Sequence, residues 1–430
     1  MTRALRPTHV ASLAVGRSLP RHLGAPRHRR SGLKVVLALI AALIVLGAVF
    51  TAVQLLRGAP QPTLTRFAHP DATVPGRLAL PDVGAEVTVA LLGAGDLESV
   101  GGTAETPIAS VTKLMSALVV LHDHPLAPGQ SGPEIPVSAA DVQTYLREKA
   151  AQDSVVAVQA GEQLSEYQAL EAALVPSADN VIEMLAVWDA GSEAAFVAKM
   201  NAEAHPLGLT HTHYADASGV DPNSVSDAAD QARLAELALK NKTIAGIVGQ
   251  PQVTLPVAGL QYNVNADLGR DGIFGVKTGW VPAGGASFVF AAHRAVAGAT
   301  RTILGAIIGV HASPNLPSAL ADARTLVVAA GRALAPTTIV GQGTTVARVS
   351  APWASPLAVV TGSPARLVAW PGATAHVSVA LSPDALHTPI VTGERLGRAT
   401  VALGTERVSV PLVAASSLPA VSTSWRLLHL

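Results

Sequence analysis

Residues 110–121 have the sequence SVTKLMSALVVL, in which apolar residues recur at the spacing of one helix face. Ser110 stands where an N-cap residue is expected, so the pattern predicts a helix that begins at this serine. Lys113 follows three residues later, and side chains at this spacing share a helix face. A serine hydroxyl is a poor nucleophile until a neighbouring base takes its proton. The stretch therefore offers a candidate serine nucleophile, Ser110, and a candidate general base, Lys113, although an N-cap role alone would also account for the serine.

Two shorter motifs follow along the chain. Residues 177–180 (SADN) form a loop between two predicted helices, Glu166–Leu174 and Val181–Trp188. Residues 277–279 (KTG) lie in a strand predicted over Gly272–Trp280. Each motif is weak alone, but their order and their predicted secondary structure make the set specific for serine acyl transfer.

The loop and strand motifs offer the remaining groups that such chemistry needs. The hydroxyl of Ser177 is suited to relay a proton between Lys113 and a leaving amine. Lys277 and Thr278 offer donors to a terminal carboxylate, and their strand allows a peptide substrate to pair with it. A second cation at Lys277, burial and the positive end of a helix all favour the neutral amine that a base requires.

With these motifs the chain resembles the low-molecular-mass penicillin-binding D-alanyl-D-alanine carboxypeptidases, in an actinobacterial-like form. The resemblance covers about residues 87–430 and includes GEQLSEYQAL from Gly161, FVAKMNAEAHPLGLTHTHYADASGVDP from Phe196 and NVNADLGRDGIFGVKTG from Asn263. It implies an α+β fold of the penicillin-binding/β-lactamase-like transpeptidase type, with helices packed on an antiparallel sheet.

The resemblance also implies a role for each matching residue. Ser110 would form the acyl-enzyme, Lys113 would be the general base and Ser177 the proton shuttle. The implied substrate-binding residues are Lys277, Thr278, Gly279 and Trp280, and the backbone N–H groups of Ser110 and Trp280 would form the oxyanion hole. The implied partners are peptidoglycan stem peptides ending in D-Ala-D-Ala, with β-lactams as inhibitors that acylate the same serine. No cofactor, metal or nucleic acid is implied.

One position departs from the family pattern. The family's loop motif is Ser-x-Asn, but its third position here is Asp179, with Asn180 one step later. An alternative alignment places residues 178–180 on the motif and loses the shuttle serine. We prefer Ser177, because Pro176 and the preceding Leu-Val pair match the family's approach to this loop.

Composition and the N-terminus restrict the class of protein. The 430 residues are 49% hydrophobic and 14% charged, with no cysteine, which indicates a globular protein of two or more domains without a thiol nucleophile. Residues 1–34 contain eight basic residues and no acidic one, and an apolar run follows from Val35 to Val53. This pattern predicts a single-pass membrane anchor with the N-terminus inside the cell and the catalytic domain outside it. A cleaved signal peptide is the alternative, although the run exceeds the usual ~7–15 residues.

Changes in composition and residue pattern along the chain predict five segments. Short alternating segments after Ala333 are typical of a small all-β domain, which we interpret as a spacer or docking module. The predicted segments are a basic cytoplasmic tail (1–34), a transmembrane anchor (35–56), a proline-rich stalk (57–77), a serine carboxypeptidase domain (78–333) and a C-terminal β-rich domain (334–430).

Four other functions compete with this interpretation. An endopeptidase uses the same apparatus, and Asp179 leaves open a catalytically weak wall-associated scaffold. A metallopeptidase is disfavoured because His211 and His213, on a predicted strand, have no third ligand and no H-E-x-x-H motif. A class A β-lactamase needs a deacylating glutamate. The glutamates between the loop motif and the KTG motif lack the sequence setting for that role: Glu183, Glu193, Glu203 and Glu236.

Overall fold

A computed structural model describes residues 30–67, 71–93, 97–382 and 385–429. These residues fall into two compact units. The first consists of the described residues up to Gln61 together with those from Ala420 onwards, and the second lies within Pro62–Pro419.

The first unit contains two helices. Helix α1 (Arg30–Leu56) includes a stretch, Gly32–Leu56, with a mean hydropathy of 2.9 whose side chains are not buried by protein. By length and composition this stretch could cross a membrane. Helix α10 (Thr423–Leu428) packs against it. The predicted anchor ends at Leu56, as the helix does, while the basic tail (1–34) lies mostly outside the described residues.

A five-stranded antiparallel sheet forms the centre of the second unit. Its strand order is β11-β12-β13-β3-β4, which places β11 at one edge. The strands are β3 (Glu86–Leu91), β4 (Leu97–Val100), β11 (Ile273–Val281), β12 (Gly285–Val296) and β13 (Ala299–Val310). The predicted strands over Gly272–Trp280 and Ser287–His293 are confirmed as the neighbours β11 and β12.

Helices cover both faces of this sheet. Alternate residues of β12 illustrate this: Val289 and Ala291 join the core under the larger helical group, whereas Phe288 and Phe290 join the core under the single helix Asn315–Ala333. The helices are α2 (Lys113–Asp123), α3 (Ala139–Ala151), α4 (Glu166–Leu174), α5 (Asp179–Ala190), α6 (Glu193–Ala204), α7 (Ala228–Lys240), α8 (Lys242–Val248) and α9 (Asn315–Ala333). The predicted α+β class, with helices on an antiparallel sheet, is confirmed.

Short two-stranded ribbons connect these helices. Strand β5 pairs with β8, β6 with β7 and β9 with β10. Their bounds are β5 (Thr106–Pro107), β6 (Glu134–Pro136), β7 (Gln163–Ser165), β8 (Val225–Ser226), β9 (Gln252–Leu255) and β10 (Gly259–Tyr262).

The C-terminal part of the unit is rich in strands, as its alternating sequence predicts. Strand β14 (Ala335–Val340) pairs with β17 (Ala365–Ala369). The other strands belong to a seven-stranded sheet: β15 (Thr345–Ala351), β16 (Ala354–Thr361), β18 (Thr374–Leu381), β19 (Arg395–Leu403) and β20 (Glu406–Ala414). Its buried residues continue the core beneath α9, so the β-rich part shares a core with the helical part.

The prediction of a proline-rich stalk over residues 57–77 is wrong from Thr63 onwards. Strand β1 (Thr63–Arg66) pairs with β15, and β2 (Ala72–Thr73) pairs with β18. These two strands form the two edges of the seven-stranded sheet. Proline disfavours continuous secondary structure, but short strands between prolines can still pair at the edges of a sheet.

Candidate active site

Ser110 lies in a tight turn before α2 rather than at its N-cap. The residues Ala109–Thr112 form a 3-10 helix, α2 begins at Lys113, and the N-cap residue Thr112 makes no side-chain cap. The prediction that Ser110 caps the helix is therefore wrong. The serine is partly exposed, and its hydroxyl accepts a hydrogen bond from the Lys113 ammonium at 2.8 Å.

Lys113 is completely buried and contacts three acceptors. Its Nζ donates to Ser110 Oγ at 2.8 Å and to the carbonyl oxygen of Ser218 at 2.8 Å. The third partner is the carboxylate of Asp179, which forms a buried ion pair with it. An ammonium group has three protons, so these three acceptors satisfy it fully.

Asp179, and not Asn180, faces Lys113. The second carboxylate oxygen of Asp179 accepts a hydrogen bond from the backbone N–H of Ser154 at 2.9 Å. The Asn180 amide points elsewhere and pairs with the backbone N–H and C=O of Val156, at 3.1 and 3.0 Å. Asp179, the third residue of the SADN loop, is therefore the residue of this loop whose carboxylate pairs with the buried lysine.

Ser177 is held by the lysine of the KTG motif. Its backbone has a φ of 67°, a left-handed conformation that non-glycine residues adopt infrequently. Lys277 Nζ donates to Ser177 Oγ at 2.9 Å and to the carbonyl oxygen of Thr278 at 2.9 Å. Burial lowers the pKa of Lys277 well below its usual value, and the charge of Lys113 lowers it further, while Asp179 opposes the change.

The edge strand β11 lies directly against the turn that carries Ser110. A Cβ atom placed on Gly279 would lie 2.7 Å from the carbonyl oxygen of Ile108 and 3.0 Å from the backbone nitrogen of Ser110. The strand can approach this closely only because residue 279 is glycine. A partner strand is absent on the outer side of β11 among the described residues, which leaves its edge open to an extended peptide.

A cavity of about 460 Å³ opens between these elements. The groups from the sequence motifs that line it are Ser110, Ser177, Thr278, Gly279 and Trp280. Lys113, Asp179 and Lys277 lie behind them, each almost completely buried. No glutamate of the described residues lines the cavity.

Three further residues contribute to the site without any sequence signal. The backbone N–H of Ser154 binds Asp179, and the backbone carbonyl of Ser218 binds Lys113. Because every residue type could supply such backbone groups, these two contacts leave no signal in the sequence. Asn315 at the start of α9 contacts the half-exposed Trp280. With its amide oriented to satisfy both neighbours, Asn315 accepts from the Trp280 indole at 2.7 Å and donates to the Ala312 carbonyl at 2.8 Å.

The two histidines considered as metal ligands lie away from this cavity. The predicted strand through His211 and His213 is wrong, because only an isolated bridge joins His213 to Val225. His211 does have acidic neighbours that the sequence did not indicate, since Asp227 and Asp230 lie beside it. Asp227 and Asp230 also serve the N-terminal turn of α7, where Asp227 accepts from the Asp230 backbone N–H at 2.7 Å.

Comparison with known proteins agrees with this geometry. Residues 97–307 match a family of serine peptidases described as D-alanyl-D-alanine carboxypeptidase. The D-alanyl-D-alanine carboxypeptidase DacB2 of Mycobacterium tuberculosis is 31% identical over 253 residues, covering 57% of this chain and 81% of the relative. A D-alanyl-D-alanine endopeptidase of Haemophilus influenzae is 30% identical over 200 residues, covering 45% of this chain and 65% of that protein.

The fold has a solved counterpart as well. The crystal structure of the D-alanyl-D-alanine carboxypeptidase DacD from Francisella tularensis superposes with a TM-score of 0.57 at 20% identity, covering 82% of this chain and 97% of that one. The assignment rests on the family match together with the identity of 31% to the mycobacterial relative, of which this chain covers 81%. The chain belongs to the D-alanyl-D-alanine carboxypeptidase family of serine peptidases.

Proposed function

We propose that this protein removes the terminal D-alanine from peptidoglycan stem peptides through an acyl-enzyme on Ser110. The observation that carries the proposal is the convergence of Ser110, Lys113, Ser177 and Lys277 on one cavity beside an open strand edge. Lys277 and Ser177, which lie 100 residues apart in the chain, are joined there by a hydrogen bond of 2.9 Å.

Each group has a role in the proposed reaction. Ser110 Oγ attacks the carbonyl carbon of the penultimate D-alanine while Lys113, in its neutral form, takes the hydroxyl proton. The backbone N–H groups of Ser110 and Trp280 stabilise the oxyanion. The C–N bond then breaks, and the proton taken up by Lys113 passes through the Ser177 hydroxyl, which Lys277 holds, to the departing amine of D-alanine. Water hydrolyses the ester and regenerates the serine.

The strand groups position the substrate. The peptide extends along the open edge of β11, and Thr278 binds its terminal carboxylate, with the positive charge of Lys277 behind it. β-Lactams, which mimic the terminal dipeptide, acylate the same serine. A cavity without a lining glutamate supports slow release of the penicilloyl group, which disfavours the β-lactamase alternative.

Replacing Ser110 by alanine tests the proposal. In the detergent-solubilised protein, Ser110→Ala should abolish both D-alanine release from diacetyl-lysyl-D-Ala-D-Ala and covalent labelling by a fluorescent penicillin. Ser131→Ala, in an exposed loop, is the matched control and should change neither. If Ser110 is labelled by penicillin but D-alanine is not released while cross-linked dimers are cleaved, the endopeptidase alternative replaces this one.

We also propose that α1 remains attached as a single-pass anchor, with its N-terminus inside and the body outside the membrane. The basic residues before the helix and the length of its apolar stretch support this orientation. Protease added to intact spheroplasts should digest the body and leave only an N-terminal fragment protected. A mature protein that begins beyond Val53 would show a cleaved signal peptide instead.

A further inference from the structure

The outer end of α1 and the C-terminal helix α10 enclose a cavity that the proposed reaction does not use. The cavity measures about 240 Å³ and is lined by Arg57, Arg426 and His429, among others. Arg426 Nη1 donates to the carbonyl oxygen of Leu55 at 3.3 Å, which satisfies one of the free carbonyl groups at the end of α1. The C-terminal helix is therefore bonded to the point where the apolar helix ends.

This unit carries positive charge with no acidic side chain to balance it. The first acidic residue of the chain is Asp71 and the last is Glu406, so both segments that form the unit are free of aspartate and glutamate. The described ion pairs of the chain include neither Arg57 nor Arg426. Two guanidinium groups and an imidazole therefore line a concave space that no acidic side chain of the described residues lines.

Apolar side chains adjoin the cavity. Trp425 lines it and stacks on the His429 ring, with 4.5 Å between the ring centroids. Leu56 and Leu428 are 86% and 78% exposed on the surface of the same unit. Tryptophan and arginine beside exposed leucines are typical of the boundary between headgroups and acyl chains.

We propose that the outer end of α1 and helix α10 form a binding site for the phosphate of an anionic membrane lipid. Arginine binds phosphate oxygens through paired N–H donors, which suits Arg57 and Arg426 to this ligand. The neighbouring leucines favour a phosphate that carries acyl chains over inorganic phosphate. The inference depends on the proposed anchoring by α1 and is independent of the carboxypeptidase chemistry. Bound lipid would hold both ends of the described chain at the membrane surface.

Lipid titration of the full-length protein tests the site. In neutral detergent, dioctanoyl phosphatidylglycerol should bind saturably, as measured by native mass spectrometry, and inorganic phosphate should compete only weakly. The double variant Arg57→Gln/Arg426→Gln should bind the lipid at least roughly ten-fold more weakly, because both guanidinium donors are lost. The matched control is Arg395→Gln/Arg398→Gln, which removes two exposed arginines of β19 and should bind as the original protein does.

The same samples separate failure of this proposal from failure of the enzymatic one. Penicillin labelling and D-alanine release should be unchanged in the Arg57/Arg426 variant, which shows that it is folded. Equal lipid binding by both double variants would overturn the proposal, as would tighter binding of inorganic phosphate than of phosphatidylglycerol. Lipid binding that persists when D-alanine release is absent would leave this site standing and remove the carboxypeptidase proposal.

Discussion

At the scale of single residues, the carboxylate of Asp179 is the group that most affects the charges of the site. Asp179 forms a buried ion pair with Lys113, the residue proposed as general base. It also opposes the lowering of the Lys277 pKa. Burial raises the pKa of the nearby Asp153 and Glu148, and the charge of Asp179 raises both further. Asp179 therefore favours the protonated forms of Lys277, Asp153 and Glu148, whereas the proposed reaction needs a base that is free to accept a proton.

Asp179→Asn should therefore move the acid limb of penicillin acylation to lower pH. The substitution removes the anion that pairs with Lys113 and the contribution that raises the pKa of Lys277, so Lys277 loses its proton more readily and Lys113 loses its ion-pair partner. Acylation near neutral pH should become several-fold faster. Stopped-flow acylation rates from mildly acidic to alkaline pH in both proteins provide the measurement.

Two control variants test which group produces the acid limb of the pH profile. Asp271→Asn removes an exposed carboxylate outside the site and should leave the limb in place. Glu183→Gln is needed because burial and its neighbour Glu148 raise the pKa of Glu183 to about 8, close to the range studied. A limb that moves with Glu183→Gln but not with Asp179→Asn would remove Asp179 from the proposed control of the base.

At the scale of elements, the site depends on how closely β11 approaches the turn of Ser110. The contact at Gly279 brings the strand that binds substrate and the backbone N–H of the nucleophile into one wall of the cavity. A similar contact holds the other side of the turn, where a Cβ on Gly219 would lie only 1.9 Å from the Ala109 carbonyl oxygen. The turn is thus fixed from two directions.

Gly279→Ala should lower the rate of acylation by about 10²-fold, because the added methyl group must displace β11 from the turn. The matched control is Gly246→Ala on the exposed side of α8, where a Cβ meets nothing within 4 Å. That control should keep full activity and gain about 1 kcal/mol of stability from better helix propensity. The measurements are the melting temperature and the rate of penicillin acylation of both variants. An unchanged acylation rate in Gly279→Ala would show that acylation does not depend on the close approach of β11 to the turn.

The elements also show which parts of the structure the sequence predicts well. Helix α4 spans Glu166–Leu174 as predicted, since Ser165 and Gln168 form a capping box at its start and Pro176 follows its end. Helix α5 begins two residues earlier than the predicted Val181, because Asp179 is already helical. Apolar periodicity first appears at Val181, whereas Asp179 is fixed by tertiary contacts with Lys113 and Ser154.

At the scale of the whole molecule, the catalytic and β-rich parts are less separable than the sequence suggests. The fully buried Trp370 and the residues beneath α9 belong to one hydrophobic core. The sequence predicts strands from local alternation, but it does not show that β1 and β2 pair with partners almost 300 residues away. Such pairing depends on tertiary packing rather than on any local pattern.

A chain that ends at Ala333 should therefore melt at a lower temperature, because the face of α9 and the strands β1 and β2 lose their partners. Its folded fraction should still release D-alanine, since no residue beyond Leu316 lines the cavity. The control is a chain that ends at Pro419, which keeps the whole body and should melt as the full protein does. The rate of D-alanine release is divided by the fraction of molecules that melt cooperatively. If the folded molecules of the shorter chain release no D-alanine, the β-rich part shapes the active site.

The positions of β1 and β2 at the two edges of the seven-stranded sheet also set the order in which the protein can mature. Strand β1 is synthesised early, yet Thr63 pairs with Ser350, which emerges from the ribosome 287 residues later. Until then, the backbone N–H and C=O groups of the early strands have no partner in this sheet. Pairing over such sequence distances is slow and leaves strand edges open to other chains. The newly made protein therefore passes through an interval in which its first strands are open to aggregation, and a chaperone that binds extended segments would act during that interval.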